Sequence, residues 1–244
     1  MLLIAHRGAS GHAPENTLAA FRLALEMGAK AIELDVHQSR DHELVIVHDF
    51  DLKRVGRLPP RGSIHLTHFR IGDLDWSELR TVDVGSWFDE RFHAERLPKL
   101  EEVMDLVEGK AELHIEVKKG SRQYPGIEER LAALLKRRRA WAWTAVSSFD
   151  HEALYSLRSI DSRARLGYLL GLTQIKTALK EIKELKAESL NLSSRQVDAR
   201  MMRECRDRDI KVLVYTVNTE RSAQRLQKMG VDGIFTNFPE IRLP

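Results

Sequence analysis

The sequence predicts an α/β fold, a closed (β/α)8 barrel, from three observations. Short β-branched apolar runs alternate with longer stretches of helical period, eight such runs recur, and polar residues gather where the early runs end. The runs are Leu2 to Ala5, Ala31 to Val36, Ala111 to Val117, Thr144 to Ser147, Arg165 to Leu169, Ser189 to Leu192, Val212 to Val217 and Gly233 to Thr236. Leu44 to Val47 extends the second. A chain of 244 residues is long for one ordinary domain but usual for one α/β barrel, so length alone does not decide; the count of eight units predicts that residues 1–244 form a single domain.

Between the runs, apolar residues three and four apart mark amphipathic helices. Leu18, Phe21 and Leu25 form the first stripe, and Leu100, Val103, Met104 and Val107 the second. Ile127, Leu131, Leu134 and Leu135 follow, then Leu154 and Leu157, then Ile175, Leu179, Ile182 and Leu185, and last Met201, Met202 and Cys205. Asn16 and Thr17 suit the start of the first helix, Gly28 its end, and Pro98 the opening turn of the second. Residues 50–97 break the rhythm, being far longer than an ordinary βα loop, and read as an insertion after strand two. With Trp76, Trp87, Phe88 and Phe92 it carries enough aromatic surface to fold down over the active end of the barrel.

Composition narrows the class. Thirty-nine basic and 36 acidic residues are interspersed, so a net charge of +3 does not point to nucleic acid. Arg137-Arg138-Arg139 reads as a solvated helix end. No apolar run approaches the roughly 18 residues that a membrane span requires, and the N-terminus lacks a basic leader, so no stable membrane anchor and a cytoplasmic location are expected. The single cysteine, Cys205, excludes an internal disulfide and a cysteine-rich zinc site and reads as a helix residue.

Barrel enzymes place their working groups at the C-terminal ends of the strands. Strand one ends in His6-Arg7-Gly8, strand two carries Glu33 and Asp35 and leads to His48-Asp49, and strand three carries His114, Glu116 and Lys118. Residues two apart share a face of a strand, so Glu33 with Asp35, and Glu116 with Lys118, point the same way. Three carboxylates converging in a barrel mouth are costly unless a cation offsets them. An all-oxygen set favours one hard divalent cation, Mg2+ or Ca2+, with Mn2+ a further candidate. The competing reading has Glu33 and Asp35 in ordinary salt bridges with Arg7 and Lys118. His6 and His48 follow strand ends in neighbouring units and suit proton transfer near neutral pH, while Arg7 and Lys118 suit an anion clamp. His12, His37, His42, His65, His68, His93 and His151 read as exposed, and His114 as barrel core or a partner of the acidic site.

Taken in order, these residues resemble a known family. His6-Arg7-Gly8, Pro14-Glu15-Asn16-Thr17, Glu33-Leu34-Asp35, His48-Asp49, Leu97-Pro98 before Leu100-Glu101-Glu102, and Ile115-Glu116-Val117-Lys118 are similar to the motifs of glycerophosphodiester phosphodiesterases. Tyr215 to Asn218 and Gly233 to Pro239 resemble the family's late strands. The resemblance implies metal ligation by Glu33, Asp35 and Glu116, acid and base roles for His6 and His48, and phosphate contact by Arg7 and Lys118. It implies hydrolysis of small-molecule glycerophosphodiesters to sn-glycerol 3-phosphate and an alcohol, and an insertion that contacts the substrate's glycerol or alcohol end. Departures from the family pattern are Tyr215 where it usually has Trp, Asn237 where it often has Asp, and Lys53-Arg54-Val55 where it has Arg-Thr-Thr. Tyr215 therefore bears on substrate fit. Two other readings compete: a phospholipase-like barrel acting on intact lipid, and an inactive phosphodiester-binding scaffold. The pattern does not choose between monomer and homodimer.

Overall fold

β-Branched and leucine-rich runs bury one face against helices and leave the other to fill the barrel, and this alternation organises the chain. The computed structural model describes residues 1–57 and 70–243. Its strands are β1 (Leu2–His6), β2 (Ala31–Gln38), β3 (Leu44–Ile46), β4 (Glu112–Val117), β5 (Thr144–Ser148), β6 (Leu166–Leu169), β7 (Ser189–Ser193), β8 (Lys211–Tyr215) and β9 (Gly233–Thr236). The sheet runs β1-β9-β8-β7-β6-β5-β4-β2-β3, and β1 also pairs with β2, which closes eight parallel strands into a barrel. β3 lies antiparallel on β2, with Val36 opposite Ile46, and stands outside the closed ring. The predicted runs match these strands, their ends shifted by at most two residues.

The helices are α1 (Leu18–Glu26), α2 (Trp76–Leu79), α3 (Leu100–Val107), α4 (Ile127–Arg137), α5 (His151–Ile160), α6 (Ile175–Leu185), α7 (Ala199–Arg206) and α8 (Glu220–Lys228). On β2, Ile32, Leu34 and Val36 join the large apolar cluster shared with the helices, while Glu33, Asp35 and His37 occupy the alternate face. A smaller apolar cluster of Ile4, Ala31, Leu213 and Phe235 forms separately. A side chain at Gly167 would meet Asn191, Ser189 and Ser147 within 3.3 Å, so the inward residues of β5, β6 and β7 crowd one another in the barrel interior.

One helix is added to those the sequence marks, and two local expectations are corrected. α8 carries no stripe in the sequence reading because only Ala223 and Leu226 of its nine residues are buried, too thin an apolar face to register. Pro98 precedes α3 rather than opening it; the helix begins at Leu100, and the Pro98 carbonyl accepts a bond from Ile46 N–H at 2.9 Å. Thr17 alone caps α1, its hydroxyl accepting from Ala20 N–H at 3.2 Å, and Asn16 turns elsewhere. Arg137 and Arg138 at the end of α4 pair with acidic residues on and just after α3.

The segment from Phe50 to Leu97 builds its own apolar cluster from Leu52, Val55, Ile71, Leu79, Val82 and Val84, packed on Val45 and Val47. Gly85 sits so close to Phe92 that a Cβ there would fall 1.9 Å from the Phe92 carbonyl oxygen, which fixes glycine at that crossing. Within this segment Trp87, Phe88 and Phe92 meet edge to face.

Candidate active site

The first strand ends in a sharp turn because Arg7 and Gly8 both adopt left-handed backbone, with φ of 58° and 80°. Gly8 is required there, since a Cβ would lie 2.6 Å from the Ala20 carbonyl carbon of α1. The turn directs the Arg7 backbone N–H at Glu33 Oε2, 2.9 Å away, and brings its guanidinium Nε to 3.2 Å from Asp35 Oδ2. A non-glycine residue in this conformation stores strain, and here the held N–H and guanidinium show what sustains it.

Register explains the carboxylates. β2 and β4 pair with Asp35 opposite Glu116, so Glu33, Asp35 and Glu116 share the inward face at the C-terminal end. One oxygen from each lies within 4.8 Å of the others. Lys118 Nζ is 3.2 Å from Asp35 Oδ1 and 2.8 Å from Glu116 Oε1. Asp35 therefore does pair with Arg7 and Lys118, as the competing reading required, but the three carboxylates also converge. Asn16 explains why Asp35 holds its orientation: its amide donates to Asp35 Oδ2 at 2.8 Å and accepts from Asp35 N–H at 3.3 Å.

The electrostatics divide the three acids. Burial acts to raise the Asp35 carboxyl, yet Lys118, Arg7 and the Asn16 bond hold it below the usual range. Burial, followed by the charge of Asp35, pushes Glu33 well above its ordinary value. The same two causes, in the same order, push Glu116 up to about 7. A group of buried acids that resists full ionisation is one a hard divalent cation would complete, and the donor set is entirely oxygen. Glu33, Asp35 and Glu116 thus fit such an ion on the chemistry of their donors and on their separation.

Two imidazoles border the acids with different partners. His6 Nδ1–H donates to Asn237 Oδ1 at 2.8 Å, which leaves Nε2 4.0 Å from Glu33 Oε2. Burial and then Arg7 lower its pKa to about 4. His48 Nδ1–H donates to Asp49 Oδ1 at 2.6 Å, and burial lowers its pKa against the pull of Asp35. The two rings, Arg7, Glu33, Glu116 and Lys118 line one cavity of about 260 Å³. Tyr215 and Phe149 line its other wall with rings 6.2 Å apart, edge to face, and the Tyr215 hydroxyl donates to the Leu170 carbonyl at 3.4 Å.

Every predicted site residue except Asp35 lines this cavity, and Asp35 lies against it through Arg7 and Lys118. Of the histidines read as exposed, His37 departs furthest, being fully buried. It continues the face of Glu33 and Asp35, takes a bond from Tyr124 OH at 2.6 Å and donates Nε2–H to the His48 carbonyl at 3.1 Å. The period-two rule applied one residue pair further along β2 would have found it. His12 and His151 are half-buried rather than exposed, while His42 and His93 are exposed; His65 and His68 lie outside the described residues. His151 stacks on Tyr168 with centroids 3.8 Å apart, which shelters one face of its ring. His114 is buried 3.3 Å from Glu112 and edge-on to Phe235, a barrel-core position. Asn16, Asp49 and Asn237 bond to Asp35, His48 and His6, contacts that the strand periodicity does not reveal.

Known proteins of one family resemble this chain over nearly its whole length. A sequence profile of the glycerophosphoryl diester phosphodiesterase family matches residues 6–241. The chain is 34% identical over 240 residues to a glycerophosphodiester phosphodiesterase of Caldanaerobacter subterraneus, covering 98% of this chain and 95% of that one. It is 30% identical over 259 residues to a glycerophosphodiester phosphodiesterase of Bacillus subtilis, covering 99% and 85%. A solved phosphodiesterase from Oleispira antarctica, in complex with the product sn-glycerol-3-phosphate, superposes with a TM-score of 0.85 at 29% identity, covering 98% of this chain and 94% of that one. The protein is an enzyme, a member of the glycerophosphoryl diester phosphodiesterase family.

Proposed function

We propose that this protein hydrolyses glycerophosphodiesters to sn-glycerol 3-phosphate and an alcohol, using one divalent cation held by Glu33, Asp35 and Glu116 and proton transfer by His6 and His48. The observation that carries the reading is the meeting, at one cavity, of two imidazoles, the carboxylates of Glu33 and Glu116 with buried Asp35 behind them, and the cationic Arg7 and Lys118. The Oleispira relative holding the product on the same fold supports the substrate class.

The ring partners divide the proton work. His6 faces a neutral amide and stays unprotonated at neutral pH, so its Nε2 lone pair is ready to take a proton from the attacking oxygen. Burial lowers the His48 pKa, but the Asp49 carboxylate on Nδ1 opposes that effect and supports an imidazolium able to protonate the departing alkoxide, a backing that His6 lacks. Arg7 and Lys118 offset charge on the phosphoryl oxygens, Arg7 through its planar fork and Lys118 as a point charge. A bound divalent ion would supply Lewis-acid stabilisation of the same oxygens. Tyr215 and Phe149 form the apolar wall against which the rest of the substrate lies. Residues 1–244 are read as one catalytic domain, with 50–97 as the cap over this face.

Release of phosphate ester from glycerophosphocholine, -ethanolamine, -glycerol and -inositol, measured with Mg2+, Mn2+ or Ca2+ and after chelation, tests the reading. Turnover of at least one diester that is lost on chelation and restored by metal is expected. No turnover of any of the four with any of the three metals would overturn it. The division of roles has its own test: with a p-nitrophenyl leaving group, which departs without protonation, His48→Ala should lose much less than it does with a natural alcohol, and His6→Ala should lose equally with both.

A further inference from the structure

Arg54 stands at the start of the insertion, outside the cavity, yet it touches the partners of both halves of the site. Its Nε donates to Asp49 Oδ2 at 2.7 Å, while the other oxygen of Asp49 accepts from His48 at 2.6 Å. Its two terminal nitrogens donate to Glu15 at 3.0 and 2.6 Å, and Glu15 Oε1 also accepts from Arg7 Nη1 at 3.0 Å. Arg7 in turn meets Asp35 at 3.2 Å. One unbroken path of hydrogen bonds and ion pairs therefore runs from His48 through Asp49, Arg54, Glu15 and Arg7 to the carboxylate triad. Glu15 is largely enclosed, with 14% of its side chain exposed, and the Arg54 guanidinium lies 5.6 Å from the Trp87 ring centroid of the insertion.

We propose that Arg54 is a positioning residue that fixes His48 and Arg7 relative to each other, so that the proton donor and the phosphate clamp act on the same bound phosphodiester. This rests on the roles given above to His48 and Arg7. A guanidinium is suited to the task because its rigid planar fork holds both oxygens of Glu15 and one of Asp49 in fixed directions, a geometry the point-like ammonium does not impose. Without the fork, Asp49 keeps one bond to His48 but loses the partner that holds its second oxygen, and Glu15 is left to Arg7 alone. Both errors fall on groups that must be placed closely for phosphoryl transfer, so the loss appears in kcat and in KM together.

The test compares wild type with Arg54→Ala, Arg54→Lys and His48→Ala, all shown to be folded by thermal melting, on the best substrate of the panel. Arg54→Ala should lower kcat about 10- to 100-fold, the range typical when a group orienting a site ligand is removed. KM should rise, and millimolar guanidinium should restore part of kcat in Arg54→Ala but not in wild type. Arg54→Lys should recover little, since it keeps charge without the fork. Folded Arg54→Ala with unaltered kcat and KM, or Arg54→Lys equal to wild type, overturns the proposal. A role confined to anchoring the insertion would lower the melting temperature with no guanidinium rescue of kcat, which also overturns it. If His48→Ala is itself fully active, the parent reading has failed; if His48→Ala is inactive while Arg54→Ala is normal, only the role of Arg54 has failed.

Discussion

Two arcs of the same barrel are built alike and filled differently. The arc of β1, β2 and β4 points His6, Glu33, Asp35 and Glu116 inward, with Lys118 just beyond, whereas the arc from β5 to β9 points in Ser147, Gly167, Asn191, Leu213 and Phe235. Both arcs face the helices with the same kind of apolar residue, such as Ile32 and Leu34 on one and Leu190 and Val212 on the other. The outer layer thus holds the barrel together everywhere, while the inner layer gathers its charged residues on one side, with Tyr215 of β8 facing them across the cavity. Stability and activity should therefore separate by position, and substitutions can break or sharpen that division.

The largest effects should fall on the charged arc. His6→Ala and His48→Ala are each expected to lower kcat on natural diesters by about 100- to 10,000-fold, the range of general acid–base catalysis, with melting temperatures little changed. Glu116→Gln should abolish tight metal binding in a calorimetric titration, because one of three oxygen ligands becomes a weaker amide oxygen. Asn16→Ala comes next: Asp35 would lose two bonds, and activity should fall about 10- to 100-fold, measured at saturating metal. On the other arc, Leu190→Ala removes a fully buried side chain facing the helices and should cost about 2–5 kcal/mol in denaturant unfolding while leaving kcat per folded molecule unchanged. If Leu190→Ala changed kcat as much as Asn16→Ala, the two layers would not be separable.

The smallest effect is a pH dependence. Glu33 and Glu116 have raised carboxyl pKa values in the metal-free protein, Glu116 to about 7, so each binds more protons folded than unfolded above its ordinary value near 4.5. Their contribution to stability is fully present below that value and is lost as pH rises through their folded-state values, about 7 for Glu116. The lowered values of His6 and His37, both about 4, act with the opposite sign between 4 and 6.5. A cation reverses the glutamate penalty by requiring their ionised form. The rise in melting temperature caused by saturating metal should therefore be greater at pH 8 than at pH 5.5, and metal binding near pH 6 should release protons. An equal shift at both pH values would contradict the raised glutamates.

The charged arc was also the more legible in the sequence. Glu33, Asp35, Glu116 and Lys118 could be read because strand period and register are local rules that place alternate residues on one face. Asn16 was misread because its side chain leaves α1 for Asp35, 19 residues away, and an asparagine beside a capping threonine looks like a cap. Asn237 bonds His6 across 231 residues, a contact that only barrel closure creates. His37 escaped because its polar neighbours in sequence resemble a loop, whereas the fold encloses it between Tyr124 and Phe50. α8 was missed for the opposite reason: its helix is set by the Thr219 cap and charged surface, with two buried residues too few to form a stripe.

The central claim is that acids from β2 and β4 meet around a cation beside two imidazoles. Anomalous diffraction from a crystal equilibrated with Mn2+ examines it directly. A single strong peak within coordination distance of Glu33, Asp35 and Glu116, absent from Glu116→Gln, is the predicted result. No peak at saturating Mn2+, or a peak bound elsewhere while the enzyme is active, would contradict the account.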